Sequence, residues 1–374
     1  MSKDKALKGK NKKVRRKKVM IVIGAILLSI ALVFVGFIIY GNHQMNKIPT
    51  LSASEVIEYT TKDNPDAIIT VGIIKDGQIS YKVYGENGQE LPTELHTYEI
   101  GSLTKTFTAA LVEKAVMEGK INIEDTIDHY LSLPSDKTYP TIKELLTHTS
   151  GYKAHYFESP MIGNFFGRRN DFYGISKDRI LCKAKEIKHK KDSYDFRYSN
   201  YGYAVLGLVL EAVYDTDYTT LANNFSQNEL NLSDTIISNK SGDLGNYWDW
   251  KEDDGYISAG AITSNIKDML SYAQMQLDST SYFNECHKSL EEINASSKKY
   301  KTMDINMDEI GMAWLIDKEN NIVWHNGGTD DYNSYLGFCP ETKTAVVVLS
   351  NLSPNYRIPA TVLGVKILKE INKK

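Results

Sequence analysis

The chain has 374 residues, 42% apolar and 24% charged, enough to bury the core of one large domain or two ordinary ones. Its formal charge of −3 is unevenly spread: residues 1–19 carry ten Lys or Arg against the single acid Asp4, a net of +9, which leaves about −12 for everything after them. A domain that acidic argues against a nucleic-acid surface, and three scattered cysteines (Cys182, Cys286, Cys339) without CxxC spacing argue against a disulfide framework or a zinc site.

Residues 1–19 read as a basic, solvated, cytoplasmic arm. Residues 20–40, MIVIGAILLSIALVFVGFIIY, carry no charge and only one serine over 21 positions. As a helix at about 1.5 Å per residue, this run spans roughly the 30 Å hydrocarbon core of a bilayer. It is long for a signal-peptide core, and no A-x-A-like cleavage site follows. A transmembrane helix is therefore predicted, with the N-terminus cytoplasmic and the remainder outside the cell membrane by the positive-inside rule. Residues 41–54 form a short polar tether, and residues 55–374 the globular domain.

That domain opens with two β-rich runs, Ala67–Ile74 and Ile79–Tyr84, around Asp76-Gly77, a predicted hairpin. An amphipathic helix follows from Ser102, with Leu103, Phe107, Leu111 and Ala115 at four-residue steps and Gly119 as its stop. Helical pieces then dominate: Ile123–Leu131, Thr141–Thr147, Ser176–Ile187, Tyr201–Tyr214, Tyr218–Glu229 and Ser264–Leu277. Tyr152–Gly174 lacks periodicity and is predicted as a long loop over a site. Strands return at Ile310–Asp317, Asn321–Asn326, Tyr332–Cys339 and Thr344–Ser350, before a final helix, Pro359–Ile371. Strands at both ends with helices between them predict an α+β fold: an antiparallel sheet flanked by helices, with a helical insertion over roughly 120–300.

Three short motifs carry chemistry. Ser102 and Lys105 lie one turn apart on one helix face. A serine hydroxyl is a weak nucleophile, and a buried amine can take its proton. A helix N-terminus also supplies N–H groups where an oxyanion would form. The spacing alone is weak, since Ser-x-x-Lys recurs at Ser2, Ser150, Ser264 and Ser296, and the plain alternative for Ser102 is an N-cap. Tyr198-Ser199-Asn200 opens a strongly apolar helix. A phenol facing Ser102 could serve as base if Lys105 lowered its pKa, and Asn200 could bind a substrate amide; the alternative is a packing tyrosine and a capping asparagine. His325-Asn326-Gly327-Gly328 ends a strand in paired glycines, which permit close backbone approach to a ligand or merely make a turn.

Ser-x-x-Lys, Tyr-x-Asn and His-x-Gly in this order, within YEIGSLTKTFTAALV, TIKELLTHTSGY, FRYSNYGYAVLG and DGYISAGAITSNIKDM, resemble the serine β-lactamase and penicillin-binding protein superfamily. The similarity is closest to its class C-like branch of D,D-peptidases, esterases and D-amino-acid-releasing hydrolases, and covers nearly all of residues 60–365. It implies the β-lactamase/transpeptidase-like fold and an acyl-enzyme on Ser102. Lys105 and Tyr198 would be the proton-shuttling pair, Asn200 and His325 with Gly327 and Gly328 the substrate-binding groups, and the N–H groups of Ser102 and Gly328 the oxyanion hole. It implies no cofactor and no metal, and as partner a cell-envelope substrate, either a peptidoglycan stem peptide or a D-alanylated polymer.

Two departures bear on specificity. The family often has Lys-Thr-Gly as its third motif; His325 here is mostly neutral at pH 7 and so lacks the charge that holds a substrate carboxylate. After Gly327-Gly328-Thr329 the chain has Asp330-Asp331-Tyr332 rather than glycine and an aromatic residue. Two carboxylates there favour an ammonium-bearing substrate over an anionic one. Two other features read as structural: His148 in the Thr147–Gly151 segment, and Trp248-Asp249-Trp250 as a surface or core-edge stretch. No Gly-x-Ser-x-Gly elbow is present for an α/β-hydrolase triad.

Overall fold

The computed structural model describes residues 47–190, 194–238, 240–278 and 282–373. The predicted transmembrane stretch 20–40 lies outside them, and no described helix is long and apolar enough to cross a membrane. The chain divides into two compact units, Met1–Leu51 and Ser52–Lys374. Of the first, the described part is a short 3₁₀ turn, Ile48–Thr50, opened by Pro49. Everything below concerns the second.

The scaffold is a nine-stranded antiparallel sheet. Its order is Glu90–Leu91, Gln78–Tyr84, Ile69–Lys75, Thr344–Ser350, Asn333–Cys339, Ile322–Gly328, Leu315–Asp317, Glu309–Ile310 and Glu291–Glu292. The predicted hairpin forms, closed by Asp76 and Gly77, both at positive φ. The first and last strands of the large sheet in chain order meet where Ile69–Lys75 pairs with Thr344–Ser350, Gly72 opposite Val347. These central strands are buried on both faces, which their unbroken apolar runs demand.

Register decides which face sees which helix. Gly72, Val347, Leu336 and His325 are opposite one another across four strands, so they share one face. A side chain at Gly72 would run into Ile266 and Leu270, so the helix Ile266–Asp278 covers that face. The next row holds Tyr335, whose ring occupies the space beside Gly364, and the C-terminal helix Ala360–Asn372 covers that opposite face. His325 therefore points into the helical half of the domain. A smaller sheet, Tyr98–Glu99, Ile262–Ser264 and Ile236–Ile237, lies in that half.

Several elements differ from expectation. Ser52 and Glu55 make a reciprocal capping box and start a helix, Ala53–Thr61, where the tether was expected to end. Ile123–Leu131 is not a helix but a looped segment with one 3₁₀ turn, Ile127–His129. Its backbone instead pairs with residues 140–143, as in Ile127 N–H to Pro140 O and Lys143 N–H to Ile123 O. The 152–174 loop contains a seven-residue helix, Pro160–Phe166. Ile310–Asp317 breaks into two strands at Ala313, which sits at positive φ. The nucleophile helix is Thr104–Met117, preceded by a 3₁₀ turn, Gly101–Leu103. It is buried on nearly all sides rather than amphipathic, running through the core with Lys105, Thr106, Thr108 and Glu113 all enclosed. The three cysteines are free thiols.

Candidate active site

Ser102 sits in the 3₁₀ turn between the small sheet and the central helix, held from both directions. Ile100 donates its N–H to Ile262 O at 3.0 Å, and its carbonyl accepts from Ser334 Oγ, a hydroxyl of the large sheet, at 2.7 Å. Gly101, at φ +51°, lies so close to the strand end that an added Cβ would fall 2.6 Å from Gly328 N. Only glycine combines that φ with that clearance. The turn thus presses Ser102 against the Gly327-Gly328 strand end, and Ser102 and Gly328 line the same narrow cleft, of about 50 Å³.

Lys105 is fully buried. Its Nζ lies 3.0 Å from Ser102 Oγ, 2.8 Å from Asn200 Oδ1 and 2.6 Å from Ala259 O. No carboxylate is among these partners, and burial holds the amine well below the ordinary lysine range. The rings of Tyr198 and Tyr203 add to the enclosure, their centres 5.0 and 5.6 Å from Nζ.

Tyr198 hydrogen-bonds Ser102; burial nevertheless pushes its phenol up, against the pull of that bond. The expected direction, downward under a lysine charge, is reversed because burial outweighs the bond to Ser102. Asn200 starts the helix Asn200–Tyr214, but the cap is Ser199, whose Oγ accepts from Gly202 N–H at 2.9 Å. Asn200 is thereby left free to face Lys105 and the cleft.

His148 and His325 complete a buried basic group around Lys105. His325 is 2% exposed, its Nδ1–H directed at Asn326 O at 2.7 Å. Burial and the neighbouring Lys105 hold it down to about 3, so it is neutral at physiological pH. Neither His325 nor Gly327 lines the cleft. Gly327 instead packs on backbone, where a Cβ would lie 1.9 Å from Ile100 O. His148, at φ +59°, accepts from Ser199 N–H at 3.1 Å, and its ring lies 4.6 Å from that of Tyr198. Arg197 N–H also donates to His148 O at 2.8 Å. The segment read as structural thus grips the Tyr198 segment directly.

Sequence reasoning missed the cleft walls. Phe172, Trp248, Trp250 and Tyr256 line it with Ser102, and Phe172 stacks on Tyr256 at 4.3 Å. Trp248 and Trp250 are part of the site rather than mere surface or core edge. Glu99, three residues before Ser102 and 3% exposed, accepts from Trp248 N–H at 2.5 Å and from Thr329 Oγ at 2.6 Å. Burial raises it to about 7, its two hydrogen bonds pull it down, and nearby Asp331 and Asp330 add to the rise. Asp330 accepts from Trp248 Nε1 at 3.2 Å, so its carboxylate stands at the cleft rim. No group of three His, Cys, Asp or Glu side chains among the described residues could hold a metal ion.

A serine hydroxyl held on a buried amine that has no carboxylate partner, with a phenol bonded to it and a glycine-ended strand alongside, is equipment suited to acyl transfer. The chain belongs to the beta-lactamase family, whose sequence profile matches residues 67–365. It is 25% identical over 336 residues to protein flp of Staphylococcus aureus strain MRSA252, covering 80% of this chain and 62% of that one. The chain thus spans under two thirds of that relative's length. Among solved structures, it resembles a beta-lactamase/D-alanine carboxypeptidase from Yersinia pestis (TM-score 0.67, 19% identity, 88% of this chain and 99% of that one). It also resembles a D-stereospecific amidohydrolase from Streptomyces (TM-score 0.62, 18% identity, 83% and 96%).

Proposed function

We propose that the protein is a membrane-anchored, extracytoplasmic serine hydrolase that forms an acyl-enzyme on Ser102 and acts on D-amino-acid esters or amides of the cell envelope. The observation that carries this reading is the Lys105 Nζ–Ser102 Oγ contact of 3.0 Å inside a site with no carboxylate partner for the amine. A neutral amine in that position accepts the Ser102 proton as Oγ attacks the substrate carbonyl. The N–H groups of Ser102 and Gly328 take the developing oxyanion. The departing alcohol or amine must be protonated, and Tyr198, a phenol kept protonated by burial, passes it a proton that Lys105 replaces. Water then attacks the acyl-enzyme, its proton returns through Lys105, and Ser102 leaves protonated. Asn200, shared between Lys105 and the cleft, orients the acyl group.

An ammonium-bearing acyl group suits this cleft better than an anionic one. No lysine or arginine lines the cleft to hold a carboxylate, and Asp330 stands at a rim walled by aromatic rings, which favour cations. A D-alanyl ester should therefore outperform penicillin in kcat/KM. Labelling with an activated ester and a fluorescent penicillin, wild type against Ser102→Ala, tests the reading. A Ser102-dependent burst followed by turnover supports it, and faster turnover of penicillin than of a D-alanyl ester makes the protein a β-lactamase. A stable adduct makes it a penicillin-binding sensor or scaffold, and no Ser102-dependent labelling removes the acyl-enzyme altogether.

A further inference from the structure

The helix Pro160–Phe166 has its amphipathicity inverted. Met161 packs toward the core, and Asn164, 5% exposed, spends its amide on Asp171 O at 3.1 Å and Tyr173 O at 2.8 Å. Asn164 also accepts Arg169 N–H on its carbonyl at 3.1 Å. The polar side chain is the inward one. The outward stripe, at one-turn spacing, is Ile162, Phe165 and Phe166, at 53%, 73% and 81% exposure, joined by Phe157 at 70%. Gly167 ends the helix, and exposed Arg168 and Arg169 follow, Arg169 lying over the Tyr173 ring at 4.6 Å. No acid occurs from Ser159 to Asn170. A buried hydrogen-bonding anchor thus fixes a short element whose function is to hold aromatic side chains in water, beside two cations, on a domain that is acidic as a whole.

We infer that this element is a bilayer-contacting surface. Phe157, Ile162, Phe165 and Phe166 enter the boundary between headgroups and acyl chains, and Arg168 and Arg169 engage anionic headgroups. The inference rests on the membrane-anchored reading given above. Two features favour lipid over other occupants. Within residues 159–170 the only charges are the two arginines, which suit an anionic leaflet, and the acids that share their hollow, Asp249, Asp330 and Asp331, belong to the cleft-rim segments. The predicted tether, residues 41–54, reaches at most about 50 Å fully extended, so the domain stays within touching distance of the membrane. The same segment runs on through Asn170, whose Nδ2 holds Asp249 O at 3.0 Å, to Phe172 on the cleft wall. With this surface seated on lipid, the mouth of the cleft lies beside the bilayer, and the enzyme draws on the membrane-proximal layer of envelope polymer.

The test uses the full chain reconstituted in phosphatidylglycerol-containing vesicles with and without brominated acyl chains. Tryptophan is introduced by Phe166→Trp and, as a control on the exposed hairpin, by Ile79→Trp, with wild-type emission subtracted. Brominated lipid should quench the added Phe166→Trp signal roughly two-fold and leave Ile79→Trp unchanged, and Arg168→Glu with Arg169→Glu should weaken that quenching. Flotation of the chain with the vesicles reports the anchor separately. A chain that floats with Phe166→Trp unquenched overturns the contact and leaves the anchor standing. Quenching without flotation at high salt keeps the contact and removes the anchor, while neither signal removes both. A blue-shifted, unquenched Phe166→Trp accompanied by a dimer mass assigns the surface to a second copy instead.

Discussion

Lys105 is the residue on which the chemistry turns, because its usefulness depends on being uncharged. Burial removes water from the ammonium, and the three acceptors at Ser102, Asn200 and Ala259 provide no full negative charge in exchange. Activity should therefore fall on the acid side, as the amine takes up a proton, and persist well below the pH at which an ordinary lysine titrates. A kcat/KM profile whose only rise lies near pH 10 would contradict that sign. His325, held down to about 3, should leave no inflection between pH 5 and 8. Glu99 behaves in the opposite sense. Its folded value of about 7 lies above the unfolded carboxyl value, so the folded state keeps its proton to higher pH. Between about pH 4.5 and 7 the folded state binds more protons than the unfolded one, and stability declines as pH rises through that window, by on the order of 3 kcal/mol at most. Glu99→Gln should remove this decline, read as the difference between the two Tm–pH curves. A parallel pair of curves would mean that Glu99 does not titrate there.

At the scale of elements, the site is an encounter between a 3₁₀ turn and a strand end with almost no clearance. Gly327→Ala would put a methyl group against Ile100 O and Ser334 Oγ, 1.9 and 2.5 Å from where they now stand. The turn bearing Ser102 must then move. An overpacking cost of roughly 1–3 kcal/mol is expected, and a displacement near 1 Å costs about 100-fold in rate. Thermal melts and burst kinetics on one preparation separate the two effects, and a variant with wild-type rate and Tm would show that the strand end is free to yield. Much of this was legible in the sequence because the periodicities are local: Ser102 and Lys105 share a helical turn, and Gly327-Gly328 closes an apolar strand. What was not legible depends on distant partners. Ile123–Leu131 has apolar spacing suited to a helix, but its backbone bonds are taken by residues 140–143. Trp248 and Trp250 carry no pattern that reveals their neighbour, and bonds to distant partners, Trp248 N–H to Glu99 and Trp248 Nε1 to Asp330 among them, bring that segment over Ser102. The capping box of Ser52 and Glu55 was readable and overlooked. The direction of the Tyr198 shift could not be read at all, since it depends on how deeply its partner is buried.

For the whole molecule, the proposed attachment and the proposed catalysis should be separable. The sheet joins the domain's first and last strands, Ile69–Lys75 and Thr344–Ser350, so its topology does not involve residues before Ser52. A chain starting at Ser52 should fold, leave the membrane fraction in high salt, and hydrolyse a small soluble ester at close to the full-length rate. Retention in the high-salt pellet would mean that the apolar run at 20–40 is not what attaches the protein.

The large sheet carries one further consequence. Its outermost strands, Glu90–Leu91 and Glu291–Glu292, are only two residues long and bear glutamates. Borders so brief, with Glu90 and Glu291 already paired to Lys82 and Lys143, give another copy almost no ladder to extend. Molecules crowded side by side would then find little edge on which to fuse into cross-β aggregates.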